Sequence, residues 1–544
     1  MLECPQRWRS AVAAMTLSVT VLAVSPAHAA PAITNGYVTS FDGTKIAYTY
    51  FLPDAATAGA PVPVVFDTHG WGGNRTTTAT GMPGKLLSNG YAVLTWDARG
   101  FGDSGGEANV DSADYEVRDV QALIDFAASK PEVLKDGPGD PRMGMTGGSY
   151  AGGIQLMTAS FDSRIDAIAP EIAWNDLIRS LKPNGVLKLG WGSVLYASGT
   201  ASSAGYGLDA PGGPQTGGLS PMIHRGYAEG LALNDWSPET HAWFDARGPE
   251  HYLGLGTLRA PALIIQGASD TLFNLNEGID NYNTIRSLGL ESRLVVFCGG
   301  HTLAVAGSTC TPGAGQRSRI DGRIFSWFDR YLKDNLEADL GPDVEYQLQD
   351  GTWATSSSLP GITVTAKAEG VLVNQIAPTS GTGTAATPSP DGIKSTVLTA
   401  GADPVTILGV PTVRAEVSGA GAESYLFFKL VDVAPDGTQK VLDDQVTPVK
   451  VTGLSLDAQT VDVELAGVSW RLDPGHTLQL QIASTSSDYA SSRLPSVTNV
   501  EAALNVPASG VATGTKSGSS GPCRDGRRGV TRGCERATRP AARG

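Results

Sequence analysis

One stretch, Gly147-Gly148-Ser149-Tyr150-Ala151-Gly152-Gly153, limits what this chain can fold into more than any other. It follows a short apolar run at 142–146 and precedes helix-compatible residues at 154–159. A serine between a buried strand and a helix, with small residues two positions to either side, fits a nucleophile elbow. That turn is sharp, and Gly147 and Ala151 leave it the room it needs. A phosphate-binding loop would carry a Lys-Ser or Lys-Thr pair, and none follows here. On this motif alone an ordinary Gly-rich turn stays open, with acyl transfer through Ser149 the sharper expectation.

The rest of the chain supplies the partners such a serine needs. The run 261–267 reads as a buried strand, and Asp270 lies just past its end. A second strand-like run at 292–297 is followed by Cys298-Gly299-Gly300-His301. The order Ser149, Asp270, His301 is that of hydrolases with a doubly wound sheet, each residue at the C-terminal end of a parallel strand. Serine is a weak nucleophile at neutral pH, so His301 is assigned as its base and Asp270 as the group that orients the imidazole. Glu277 and Asp280 are alternative acids, but they fall within a predicted helix at 276–288.

An oxyanion needs backbone donors aimed at it. The segment His69-Gly70-Trp71-Gly72-Gly73 follows the strand run 62–66, and the expected donors are the N–H groups of Trp71 and Tyr150. His69 is assigned as a loop anchor. Gly102-Asp103-Ser104-Gly105-Gly106 looks like the nucleophile signature of chymotrypsin-like proteases, but those require His, then Asp, then Ser on β-barrels. Ser104 is therefore a turn residue.

With these motifs in place, the chain resembles the Xaa-Pro dipeptidyl-peptidase and cocaine-esterase family of α/β-hydrolases. The resemblance is carried by residues 97–106 (D-x-R-G-x-G-x-S-x-G), 147–152 (G-x-S-Y-x-G) and the surroundings of Asp270 and His301. It covers most of residues 35–505 and implies a C-terminal jelly-roll domain of the galactose-binding-like type. Cocaine-esterase-like members place a tyrosine side chain in the oxyanion loop; here that loop has Trp71, which favours a backbone donor.

Composition sets the remaining bounds. At 544 residues, 41% apolar and 17% charged, the chain is globular with two to three domains. Arg7 and Arg9 precede an apolar run at 11–24 that ends in an A-x-A site, so residues 1–30 read as a signal peptide and the protein as secreted, with cell-wall association open. No later segment is long and apolar enough to span a membrane. The formal charge is −14, and the basic tail at 511–544 is positive by six, leaving −20 on the rest and arguing against a nucleic-acid substrate. Cys298 and Cys310 bracket His301 and are expected to pair in an oxidising compartment. No paired Cys-x-x-Cys spacing suggests a metal, and the chemistry requires no cofactor.

The expected architecture is an α/β-hydrolase domain at 31–340, a doubly wound and mostly parallel sheet with a helical cap inserted at about 174–258. An all-β sandwich follows at 341–507, then a disordered basic tail at 508–544. Trp174, Trp191, Tyr196, Trp236, Trp243 and Phe244 are candidates for an acyl or peptide pocket. The expected function is that of a serine hydrolase releasing N-terminal Xaa-Pro dipeptides. Hydrolysis of small acyl esters or amides is the alternative. A non-catalytic surface or carbohydrate-binding protein on a hydrolase scaffold is the reading from another class. The partner is a small peptide or acyl-ester substrate, and the sequence leaves the oligomeric state open.

Overall fold

The computed structural model describes residues 32–203, 217–301, 309–374, 386–389 and 391–510. The expected signal peptide lies outside these residues, as does the tail from 511 onward.

The first domain is built on ten strands. They are β1 (Ala32–Thr39), β2 (Lys45–Leu52), β3 (Val64–Thr68), β4 (Ala92–Trp96), β5 (Met143–Gly148), β6 (Ala167–Glu171), β7 (Ala262–Gly267), β8 (Ser292–Phe297), β9 (Val344–Gln347) and β10 (Trp353–Ser356). Their spatial order is β1-β2-β4-β3-β5-β6-β7-β8-β9-β10. From β4 through β9 every pairing is parallel; at the edges the β1–β2, β2–β4 and β9–β10 pairings are antiparallel. The central strands are apolar on both sides because helices cover both faces. Period-two alternation divides their side chains between two cores. Val64, Phe66, Ile264, Leu294 and Val296 enter one, while Val65, Leu263, Ile265 and Val295 enter the other.

The helices of eight or more residues are α1 (Gly81–Ser88), α2 (Glu116–Ala128), α3 (Tyr150–Phe161), α4 (Leu189–Ser203), α5 (Pro221–Leu233), α6 (Pro238–Asp245), α7 (Leu275–Ser287) and α8 (Gln316–Leu332). Helices α2, α3 and α7 pack on the first face, and α1 and α8 on the second. Helices α4 to α6 form the cap. Two of them start on Ser-Pro pairs, in which Ser220 and Ser237 accept from Met222 N and Thr240 N while proline takes the first helical position.

The sandwich starts later than its alternating sequence suggests. Residues 344–347 and 353–356 extend the hydrolase sheet as β9 and β10, β9 pairing parallel with β8. Both strands lie past the boundary expected at 340, so the hydrolase sheet draws on the start of the second segment. Period-two alternation reveals a half-buried strand but not which sheet it joins. The sandwich proper opens with Ile362–Asn374 and closes with Ser496–Ser509, which pair antiparallel with each other. It seats on the cap through a shared cluster in which Val186 and Leu187 pack with Tyr425, Phe427, Val431 and Tyr489. Among the described residues no helix is long and apolar enough to cross a membrane.

Candidate active site

Ser149 sits between β5 and α3 with φ 60° and ψ −120°, a left-handed conformation that serine rarely adopts. Its N–H donates to Glu171 O at 2.9 Å, and its carbonyl accepts from the N–H groups of Gly152 and Gly153. The small neighbours are a steric requirement: a β-carbon at Gly147 would lie 2.7 Å from Ala151 Cβ. Gln155 locks the elbow from behind, donating to Gly147 O and Ala151 O and accepting from Ala169 N. The residue after β6, Ile172, is also left-handed (φ 44°), which is unusual for a β-branched side chain.

Asp270 follows β7 and is fully buried. Its Oδ1 accepts from the N–H groups of Leu272 and Phe273 at 2.9 and 2.8 Å. That leaves Oδ2 for His301, whose Nδ1 donates to it at 2.7 Å. The imidazole is thereby fixed with Nε2 as its basic nitrogen. Nε2 is buried and has no hydrogen-bond partner among the described residues, so the serine–histidine bond is not formed in this structure. Such bonds are often long before substrate binds and tighten in the reacting complex. Gly300 has φ 135°, and a β-carbon there would fall 2.4 Å from Asp270 Cβ, so glycine lets the histidine loop close on the acid. Cys298 and Cys310 are disulfide-bonded across the same loop. Glu277, the alternative acid, is otherwise engaged: it accepts from Asn175 N, Asp176 N and Arg179 Nε.

The loop expected to hold the oxyanion lies directly against Ser149, a β-carbon at Gly70 falling 3.7 Å from Ser149 Cβ. Tyr150 is the first residue of α3, so its N–H has no acceptor within the helix. Trp71 is anchored by its ring, Nε1 donating to Leu195 O at 2.9 Å. His69 ties this loop to the end of β4: Nε2 accepts from Ala98 N at 3.0 Å and Nδ1 donates to Gly70 O at 2.8 Å. Burial holds its pKa below the usual histidine value. Ser104 is buried in its turn, donating to Asp97 O and accepting from Ala47 N.

Ser149 opens on a cavity of about 910 Å³, its open mouth included. Trp174, Tyr196, Trp236 and Phe244 line it, together with Trp71, Tyr150, Ile223, Leu272 and Phe273. Two of the expected pocket aromatics do not. Trp191 meets the His301 ring edge-on at 6.1 Å and donates to Thr271 Oγ1, while Trp243 stacks on the Arg247 guanidinium at 3.7 Å. The sequence missed Lys188, the one charged side chain among the described residues lining the cavity. Its Nζ donates to Leu272 O, and burial pulls its pKa down to about 8. No local signal distinguishes it from a surface lysine. The Tyr150 hydroxyl was also missed. It donates to Glu116, whose own pKa burial pushes up to about 7, and this fixes the first turn of α3.

A serine on a strained strand-to-helix turn, with an acid–histidine pair at the ends of the next parallel strands, defines an α/β-hydrolase of the serine type. Known proteins narrow this class. A family model described as X-Pro dipeptidyl-peptidase (S15 family) matches residues 42–303, and one described as X-Pro dipeptidyl-peptidase C-terminal non-catalytic domain matches 337–517. Cocaine esterase from Rhodococcus sp. (strain MB1 Bresler) is 24% identical over 536 residues, covering 82% of this chain and 89% of that protein. Quorum-quenching protein AidA from Acinetobacter baumannii (strain MDR-ZJ06) is 30% identical over 154 residues, 27% of this chain and about half (48%) of the relative. A solved α-amino acid ester hydrolase shares the fold with TM-score 0.67 at 15% identity, covering 90% of this chain and 99% of that one. A CocE/NonD family hydrolase from Staphylococcus aureus gives 0.63 at 17%, covering 88% and 94%. The chain belongs to the Xaa-Pro dipeptidyl-peptidase and cocaine-esterase family of serine hydrolases.

Proposed function

We propose that this chain is an exported hydrolase that cleaves carboxylic esters with a bulky apolar acyl group, through an acyl-enzyme on Ser149. His301 Nε2 takes the serine proton as Oγ attacks the carbonyl carbon. The oxyanion of the tetrahedral intermediate is held by the N–H groups of Tyr150 and Trp71. Collapse expels the alcohol, which receives its proton from His301, and water repeats the sequence to release the acid.

The observation that carries this reading is the wall of the cavity next to Ser149. It is aromatic and aliphatic, and its described lining includes no carboxylate. A dipeptidyl-peptidase must hold a free α-ammonium, for which the buried Lys188 is the wrong charge. The ester reading is therefore preferred to release of Xaa-Pro dipeptides. Export is supported by the leader-like segment at 1–30 and by the Cys298–Cys310 pairing, since disulfides persist in oxidising compartments.

The test compares kcat/KM for 4-nitrophenyl acetate, phenylacetate, benzoate and decanoate with that for a panel of Xaa-Pro 4-nitroanilides. The bulky esters are expected to exceed both the acetate and every anilide. An anilide turned over faster than every ester restores the dipeptidyl-peptidase reading. Equal fluorophosphonate labelling of wild type and Ser149→Ala removes the serine mechanism altogether.

A further inference from the structure

We propose that the sandwich turn Asp443-Asp444-Gln445 is a positioning device for the Asp270–His301 pair, which makes the second domain part of the catalytic apparatus. Gln445 is buried, and its Nε2 donates to Asp270 O at 2.9 Å and to Ala268 O at 3.2 Å. Between those two carbonyls, Ser269 Oγ donates to Asp443 Oδ1 at 3.4 Å. The other Asp443 oxygen accepts from Ser469 N at 2.7 Å, tying the contact back into the sandwich. The neighbouring side chain reaches the other loop: Thr309 N donates to Asp444 Oδ2 at 3.2 Å. Thr309 precedes Cys310, whose disulfide returns to Cys298 at the base of the histidine loop. One turn thus grips both the acid-bearing and the histidine-bearing segments.

Two features separate this from ordinary domain packing. First, the turn is strained, with Asp443 and Asp444 both left-handed at φ 49° and 59°. Consecutive non-glycine residues hold that conformation only where their surroundings over-determine it. Second, the contacts converge on the acid from complementary directions. The loop's own N–H groups hold Oδ1, the sandwich holds the main-chain carbonyl, and the cap holds the following residues through Lys188 Nζ on Leu272 O and Trp191 Nε1 on Thr271 Oγ1. Asp270 Oδ2 is then left one direction in which to point, toward His301 Nδ1. Buried loop carbonyls need donors, and without Gln445 the loop would have to rearrange to find others. A shift of about 1 Å in such a group costs on the order of 100-fold in rate.

The kinetic arm of the test rests on the hydrolase reading above; the spectroscopic arm does not. Gln445→Met keeps the length of the side chain and removes its N–H donors. Gln445→Glu, which turns a carboxylate toward the two carbonyls, is the second variant should the first fail to fold. Gln349→Ala is the control, because it breaks a different pair of contacts between the two domains, with the backbone of Arg471. In full-length protein with sites titrated by fluorophosphonate, Gln445→Met is expected to lower kcat per site by roughly 10- to 100-fold with KM within about twofold. The downfield proton resonance of His301 Nδ1–H, identified by its loss in Asp270→Asn, is expected to shift or broaden. Gln349→Ala should leave both unchanged. Wild-type kcat per site and an unmoved resonance in the Gln445 variant would overturn the proposal, even with a lowered melting temperature. Should wild type hydrolyse no ester, the functional reading fails, and the resonance comparison still decides this one.

Discussion

Replacing Ser149 by glycine should yield a protein that is inactive yet more stable than the alanine variant at the same position. Both substitutions remove the Ser149 hydroxyl, the proposed nucleophile, so they differ chiefly in what the backbone asks of the residue. At φ 60° and ψ −120° an L-residue is held in a region that glycine enters freely. Such strain costs about 1–3 kcal/mol per residue. Against this, glycine gives the unfolded chain extra conformational freedom worth about 0.4–1 kcal/mol relative to alanine. The difference leaves Ser149→Gly ahead by roughly 1 kcal/mol, or about 2–4 °C in the unfolding of a domain of a few hundred residues. Calorimetry of both variants, each shown to be silent toward fluorophosphonate, measures it directly. A glycine variant that melts at or below the alanine variant would refute the claim that the elbow stores strain.

Three further outcomes follow from the same geometry. Gly300→Ala places a β-carbon 2.4 Å from that of Asp270 at a φ of 135°, so the histidine loop must move. Its kcat is expected to fall by on the order of 100-fold while its circular dichroism stays native. Replacing Cys298 and Cys310 together by serine reopens a loop of sequence separation 12, and should cost about 3 kcal/mol in urea unfolding by chain entropy. Burial pushes the Asp67 carboxyl up to about 7 from its ordinary 3.8. The folded state therefore favours the neutral acid, and the stability this group contributes is complete below about pH 4 and lost as pH rises through about 7. Asp67→Asn should accordingly gain thermal stability relative to wild type at pH 8 and lose that advantage at pH 4.

The strained turn at Ser149 and the placing of Asp270 and His301 at strand ends were legible in the sequence because their requirements are local. Gly147 and Ala151 are small for a reason that acts over two residues, and Asp270 and His301 each stand just beyond an apolar strand. The two-faced sheet core was legible too, since the strands are apolar on both sides between helical segments. What escaped depends on contacts distant in sequence. The segments 344–347 and 353–356 alternate like sandwich strands, and only pairing with Ser292–Phe297 assigns them to the hydrolase sheet. Trp191 and Trp243 have the composition of pocket residues, but which way each ring turns is settled by Thr271 and Arg247. Gln445 reaches a carbonyl 175 positions away, and nothing in its neighbourhood marks it.

Leu187 belongs at once to the wall of the cavity beside Ser149 and to the cluster that seats the cap on Tyr425 and Phe427. The size of the chamber is thus partly dictated from behind, by rings that do not line it. Laboratory evolution toward longer or shorter acyl chains should therefore accumulate changes at Phe427 as readily as at the cap residues lining the chamber. A shallower ring there would let the leucine retreat and lengthen the chamber without replacing any side chain that lines it.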